Sequence, residues 1–99
     1  MVQKDLKDKI MRIANHYKYE NQREQAIEEM AELIVALNKF RRYGTIQRQN
    51  RLNAIITELA DVWIMVMQLS YLLQVENEVE KEIEYKVNRT INKIENSEV

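Results

Sequence analysis

Glu29 and Glu32 lie three residues apart, and so do Glu58 and Asp61. On a helix that spacing sets both side chains of a pair on one side. In AIEEMAELIVAL, residues 26–37, no Lys or Arg stands four residues from Glu28, Glu29 or Glu32. The helix therefore accepts like-charge repulsion of about 0.2–0.5 kcal/mol per i,i+4 pair. Two antiparallel helices joined by a short turn bring residues level when their numbers have a constant sum. Glu29 with Asp61, and Glu32 with Glu58, both add to 90, centred beside Gly44. Packed helices lie about 8–10 Å apart, a gap that carboxylate side chains from both sides can close. Four such groups in a partly buried cluster need either protons or a cation. Ligands that are all oxygen suit a hard divalent ion, Mg²⁺ or Mn²⁺ before Zn²⁺.

The elements that must position these acids are helices. The chain has no proline and one glycine, and sheet proteins need turns that use both. Leu6, Ile10, Ile13 and Tyr17 recur at helical spacing and predict a first helix over 4–17. The polar stretch NHYKYENQ interrupts it. A second helix is expected over 21–41, with its apolar stripe at Ala26, Ile27, Met30, Leu33, Ile34 and Leu37. Gly44 marks the next break. A third helix is expected over 50–74 and a fourth over 76–96, the latter with the stripe Val75, Val79, Ile83, Val87, Ile91 and Ile94. The expected fold class is all-α: a four-helix bundle-like single domain over 1–99, with a central antiparallel hairpin, assembled as an oligomer. From Leu52 to Val75 the third helix carries only Glu58 and Asp61 as charges, so it should be buried centrally or in a dimer interface. Those two acids, with Gln68 and Ser70, argue against a membrane span.

Composition removes other classes. Without cysteine there is no disulfide framework and no thiolate site. A net charge of −1 gives no basic field for a nucleic-acid polymer or an anionic membrane. No apolar signal core follows the N-terminus, and a cytoplasmic protein is expected. A di-iron carboxylate bundle would need Glu-x-x-His motifs, and His16, the only histidine, lies on another segment. His16 reads as a surface or capping residue. Trp63, Met65 and Met67 read as core rather than as a base-stacking site. The competing class is a non-catalytic helical bundle, an interaction protein whose acids are structural or hold a metal idly.

EEMAEL at 28–33 followed by ELADV at 58–62 resembles the E-E-x-x-E…E-x-x-D signature of the MazG-type, all-α nucleoside-triphosphate pyrophosphohydrolases. The flanking HYKYENQREQAIEEMAELIVALNKFRR and VEKEIEYKVNRTINKIE are similar to the short, stand-alone members common in bacteria and their phages. The resemblance covers almost the whole chain. It implies hydrolysis of a nucleoside triphosphate, a dNTP or a non-standard one, to the monophosphate and pyrophosphate. Glu29, Glu32, Glu58 and Asp61 would be both the catalytic acids and the Mg²⁺ ligands, in a homodimer or homotetramer. The histidine-pathway branch starts its motif with GEE; Ile27 replaces that glycine and points away from it.

Triphosphate also needs cations. Lys39 follows Glu32 by seven residues, two turns along the same helix face. Lys86, Asn88 and Arg89 match the basic stretch of the family's last helix. Gln22 and Gln25 continue the Glu29/Glu32 strip toward the N-terminus, within reach of a base or sugar. The cluster Arg41, Arg42, Arg48 and Arg51 reads as solubilising or as a partner contact.

Overall fold

The computed structural model of the chain describes residues 2–42 and 47–97, with side chains for 2–40 and 47–97. The break expected at Gly44 and the side chains of Arg41 and Arg42 lie outside them. The described residues are helical, with no strand. Helix α1 runs Lys4–Arg42, α2 runs Arg48–Leu72 and α3 runs Glu76–Ser97. Helices α1 and α2 pack as an antiparallel hairpin, whereas α3 meets only α2, and sparsely.

The separate helices expected over 4–17 and 21–41 form one element with a sharp bend. Lys18 has φ 70° and ψ 169°, outside helical space. That region is essentially glycine territory, and a side chain there costs on the order of 1–3 kcal/mol. The bend is held from α2. Gln68 is fully buried. Its Oε1 accepts from Gln22 Nε2 at 2.7 Å, beyond the bend, and its Nε2 donates to the Ile10 carbonyl at 3.0 Å, before it. Asn15 Nδ2 donates to the Tyr71 hydroxyl at 2.8 Å, and Asn21 Nδ2 donates to the Tyr17 carbonyl at 2.8 Å. One α2 side chain thus ties both limbs of α1, each of its amide groups with a partner, as a buried amide requires.

Beyond the bend the hairpin has a regular seam. Gln22, Ala26, Glu29, Leu33, Ala36 and Phe40 alternate at spacings of four and three, and all are buried or half-buried. Ile55, Glu58, Val62, Met65, Leu69 and Leu72 do the same on α2. This is the heptad spacing of helices that cross at about 20°. Ala26 and Ala36, both buried, let the backbones approach. The Gln22–Gln68 bond joins residues whose numbers add to 90, the register that the acids imply.

Burial departs from expectation on both helices. Of the stripe expected on 21–41, Ala26 is buried and Leu33 half-buried, but Ile27, Met30, Ile34 and Leu37 are exposed. The seam selects the face next to them, because alanines there permit closer packing. Met65 is buried and Met67 half-buried, whereas Trp63, expected in the core, is 48% exposed. Helix α2 is long and apolar enough to cross a membrane by length and composition, and little of it is covered by the rest of the chain. It ends in a reversing turn: Gln74 has φ 59°, its N–H donates to Tyr71 O, and Val75 N–H donates to Ser70 O, both at 3.0 Å. After that turn α3 leaves the hairpin. Val75 and Val79 are half-buried, but Ile83, Val87, Ile91 and Ile94 are exposed. The radius of gyration is 16.9 Å, against about 13 Å for a compact chain of this length.

The bend makes a direct stability prediction. Lys18→Gly should raise the unfolding free energy, by up to about 1 kcal/mol in a urea melt, because glycine adopts this conformation without strain. Lys18→Val should lower it. If residue 18 were helical, the order would invert, since glycine costs about 1 kcal/mol in a helix interior.

Candidate metal centre

The acids occupy two places relative to the seam. Glu29 and Glu58 sit in it, where a coiled coil places apolar side chains. Glu32 and Asp61 each stand one residue before a seam position, Leu33 and Val62. One residue turns a helix by 100°. In antiparallel helices these turns run in opposite senses when viewed from one end. Glu32 and Asp61 therefore emerge on the same side of the hairpin.

One oxygen from each of Glu29, Glu32 and Glu58 lies within 4.8 Å of the other two. Asp61 stands beside Glu29, whose charge and hydrogen bond both act on it. The expected pairing of the two motifs across the hairpin is therefore realised. The four acids are brought together, with Asp61 at the edge of the triplet. Glu29 Oε2 and Glu58 Oε2 are buried without a hydrogen-bond partner. Glu29 Oε1 accepts from Gln25 Nε2 at 2.7 Å. Two buried carboxylate oxygens without donors are costly by themselves. A proton shared within the cluster or a cation would satisfy them, and an all-carboxylate set of this kind fits Mg²⁺ or Mn²⁺.

The electrostatics show the same crowding of like charge, with the carboxyls hydrogen-bonding one another when protonated. The carboxyl groups of Glu32, Glu58 and Asp61 are all held above their ordinary range. For each, removal from water is the largest cause. Neighbouring charge follows: Glu58 and Glu28 act on Glu32, Glu29 and Asp61 act on Glu58, and Glu29 acts on Asp61.

The other candidate residues separate. Gln25 is at the cluster, but its amide is spent on Glu29 rather than held free. Gln22 is buried and bonded to Gln68. Lys39 is exposed on α1, one residue before seam residue Phe40, and so shares the side of Glu32. Lys86, Asn88 and Arg89 are on α3, which does not pack against α1. Asn88 and Arg89 line a shallow cleft on α3 with Tyr85, Asn92 and Lys93, so one chain does not bring them to the acids. His16 is exposed, edge-on to Tyr17 at 4.8 Å. A cleft of about 530 Å³ opens beside the cluster, lined by Tyr17, Asn21, Gln22, Glu24, Gln25 and Glu28. Sequence reasoning missed the part played by Gln68. Its signal was a lone amide inside VWIMVMQLSYLL, since a polar group in an apolar run needs a partner.

Comparison with known proteins finds no matching family model, no matching curated protein and no matching solved structure.

The raised acids set a pH dependence. Without metal, the folded chain holds protons on Glu32, Glu58 and Asp61 more tightly than the unfolded chain does. The stability this gives is fully present below the ordinary carboxylate values, near about 4. It is lost as pH rises through the raised ones. In EDTA, Tm should therefore fall as pH rises out of that range toward neutrality. Saturating Mg²⁺ should raise Tm at neutral pH and flatten the slope, by linkage. Identical melting curves in EDTA and in millimolar Mg²⁺ would show that the cluster holds no metal.

Proposed function

We propose that the chain is a Mg²⁺-dependent nucleoside-triphosphate pyrophosphohydrolase that converts a dNTP or non-standard NTP to the monophosphate and pyrophosphate. Mn²⁺ can replace Mg²⁺, and the working form is a homodimer or homotetramer in the cytoplasm. The observation that carries the reading is the carboxylate triplet of Glu29, Glu32 and Glu58, with two buried oxygens lacking donors. The resemblance of its two motifs to the MazG-type enzymes adds the reaction class.

In this reading Glu29, Glu32, Glu58 and Asp61 hold the metal, and Gln25 fixes the rotamer of Glu29. The ion, when bound, supplies positive charge to the phosphate oxygens. A carboxylate of the cluster orients a water and takes its proton as the water oxygen bonds to phosphorus. The anhydride between the α and β phosphates breaks, and pyrophosphate leaves. In this reading the nucleoside takes the cleft lined by Tyr17 and Asn21. Lys39, on the same side of the hairpin, offers charge to the phosphate tail.

A panel of NTPs and dNTPs with Mg²⁺, assayed for pyrophosphate, tests the reaction. Asp61→Asn tests the site, because it keeps size and hydrogen bonding but removes charge. It should fold, melt no lower than the parent in EDTA, and lose about 10²-fold or more in hydrolysis. Glu29→Gln, Glu32→Gln and Glu58→Gln should lose as much, and Glu28→Gln far less. An Asp61→Asn protein that turns over its best triphosphate at the parent rate would refute the assignment.

A further inference from the structure

The charges of the chain are segregated. Residues 33–57, between the acid motif of α1 and that of α2, hold Lys39, Arg41, Arg42, Arg48 and Arg51 and no acid. All 16 acids lie outside this stretch. A net charge of −1 averages the two regions and conceals a local basic field. Because the hairpin is antiparallel, the last turn of α1 and the first turn of α2 stand at the same end of it. Lys39 and Arg51 add to 90, so the register that sets the acids level sets like cations level too.

The bases are kept there against local stability. Continued back from Ile55 by steps of four and three, the seam of α2 reaches Arg51 and then Arg48. Arg48 lies over the Phe40 ring, 5.1 Å from its centroid, and Arg51 Nη2 donates to Gln47 Oε1 at 3.3 Å. Both stand in the first turn of α2, where a basic side chain opposes the helix dipole and an acid would be favoured. We propose that this end of the hairpin binds a nucleic acid by its phosphate backbone. Phosphates held there relieve the repulsion among the bases. The residue types select this partner over an anionic membrane. Four of the five bases are arginine, whose planar fork takes phosphate oxygens two at a time. The exposed side chains next to Lys39, Arg48 and Arg51 in the chain are Asn38, Gln47, Gln49 and Asn50. Amides hydrogen-bond phosphate and sugar oxygens, whereas an element that enters a membrane surface sets apolar side chains beside its bases. Lys39 is seven residues from Glu32, about 10 Å along the helix. The inference goes beyond the proposed reaction and does not depend on it.

Fluorescence anisotropy of a labelled strand of about 20 nucleotides, alone and as a duplex, tests the surface with the full-length protein. At about 50 mM salt the protein should bind. On the single strand, the logarithm of the binding constant should fall with that of salt at a slope of about −2 to −3.5, as three to five phosphate contacts require. Arg48→Gln together with Arg51→Gln should weaken binding by about tenfold and make the slope shallower by about 1 to 2. Lys4→Gln together with Lys7→Gln removes as much charge from the first limb of α1 and should change binding by less than about twofold. Circular dichroism checks that each variant remains helical. No binding of either nucleic acid at about 50 mM salt would overturn the proposal, and so would equal weakening by the two pairs of substitutions, which would mark an effect of net charge alone. Phosphatidylserine vesicles that bind through Arg48 and Arg51 while neither nucleic acid does would assign this end to a membrane instead. If the arginine pair raises the KM for a triphosphate and leaves strand binding unchanged, the bases serve the substrate and the proposal fails. The hydrolysis assay keeps the two readings apart: an inert protein that binds the strand retains the surface and loses the enzyme, and an active one that binds no strand does the reverse.

Discussion

The contact on which the rest depends is the seam between α1 and α2. It fixes which residues are level, and so decides whether carboxylates 26 and 32 residues apart in the chain meet or miss. On α1 the seam alternates Ala26 and Ala36 with Gln22, Glu29, Leu33 and Phe40, against the larger apolar residues of α2. The buried apolar residues are Ile10, Ala14, Ala26, Ala36, Ile55 and Met65. Alanines bring the backbones close but contribute little burial. Specificity of register must then come from elsewhere, and the Gln22–Gln68 bond supplies it: a slip of one residue in either helix would leave two buried amides without partners.

The same seam explains why the acids are tolerated. Glu29 and Glu58 take positions that leucine or isoleucine would fill with gain in stability. The raised carboxyl of Glu58 is the local expression of that sacrifice, and Glu32 and Asp61 beside the seam are raised with it. Such conflict between local stability and local chemistry is a departure from the consistency of the rest of the hairpin. Gln25, hydrogen-bonded to Glu29, belongs to the same arrangement. It holds one oxygen of Glu29, and the other has no hydrogen-bond donor.

Much of this was legible before the fold was known. The absence of proline and near absence of glycine fixed the helical class, and the constant sum of 90 placed the acids opposite one another. What the sequence hid was which apolar stripe turns inward. On α1 the stripes at Ala26/Leu33 and at Ile27/Ile34 are equally good by periodicity. Hydrophobicity favours the second, yet packing distance favours the first, and a single-residue rotation separates them. The bend at Lys18 was equally hidden. NHYKYENQ reads as a break between two helices, but its polar groups serve a continuous element bent at one residue and held by Gln68. The exposure of Trp63 followed from the same ambiguity, since a residue that suits a core suits an interface as well.

Helix α3 has a further consequence for cooperativity. It is joined to the hairpin through Gln74 in a left-handed conformation, and beyond Val79 its residues are exposed. A helix of 22 residues exceeds the length of about 12–15 below which isolated helices are marginal in water, but has little tertiary support to add to it. Its opening therefore does not require the hairpin to open, and the chain contains two folding units of unequal stability rather than one. Amide protons along α3 should accordingly exchange through local unfolding, while those beside Gln68 wait for global unfolding.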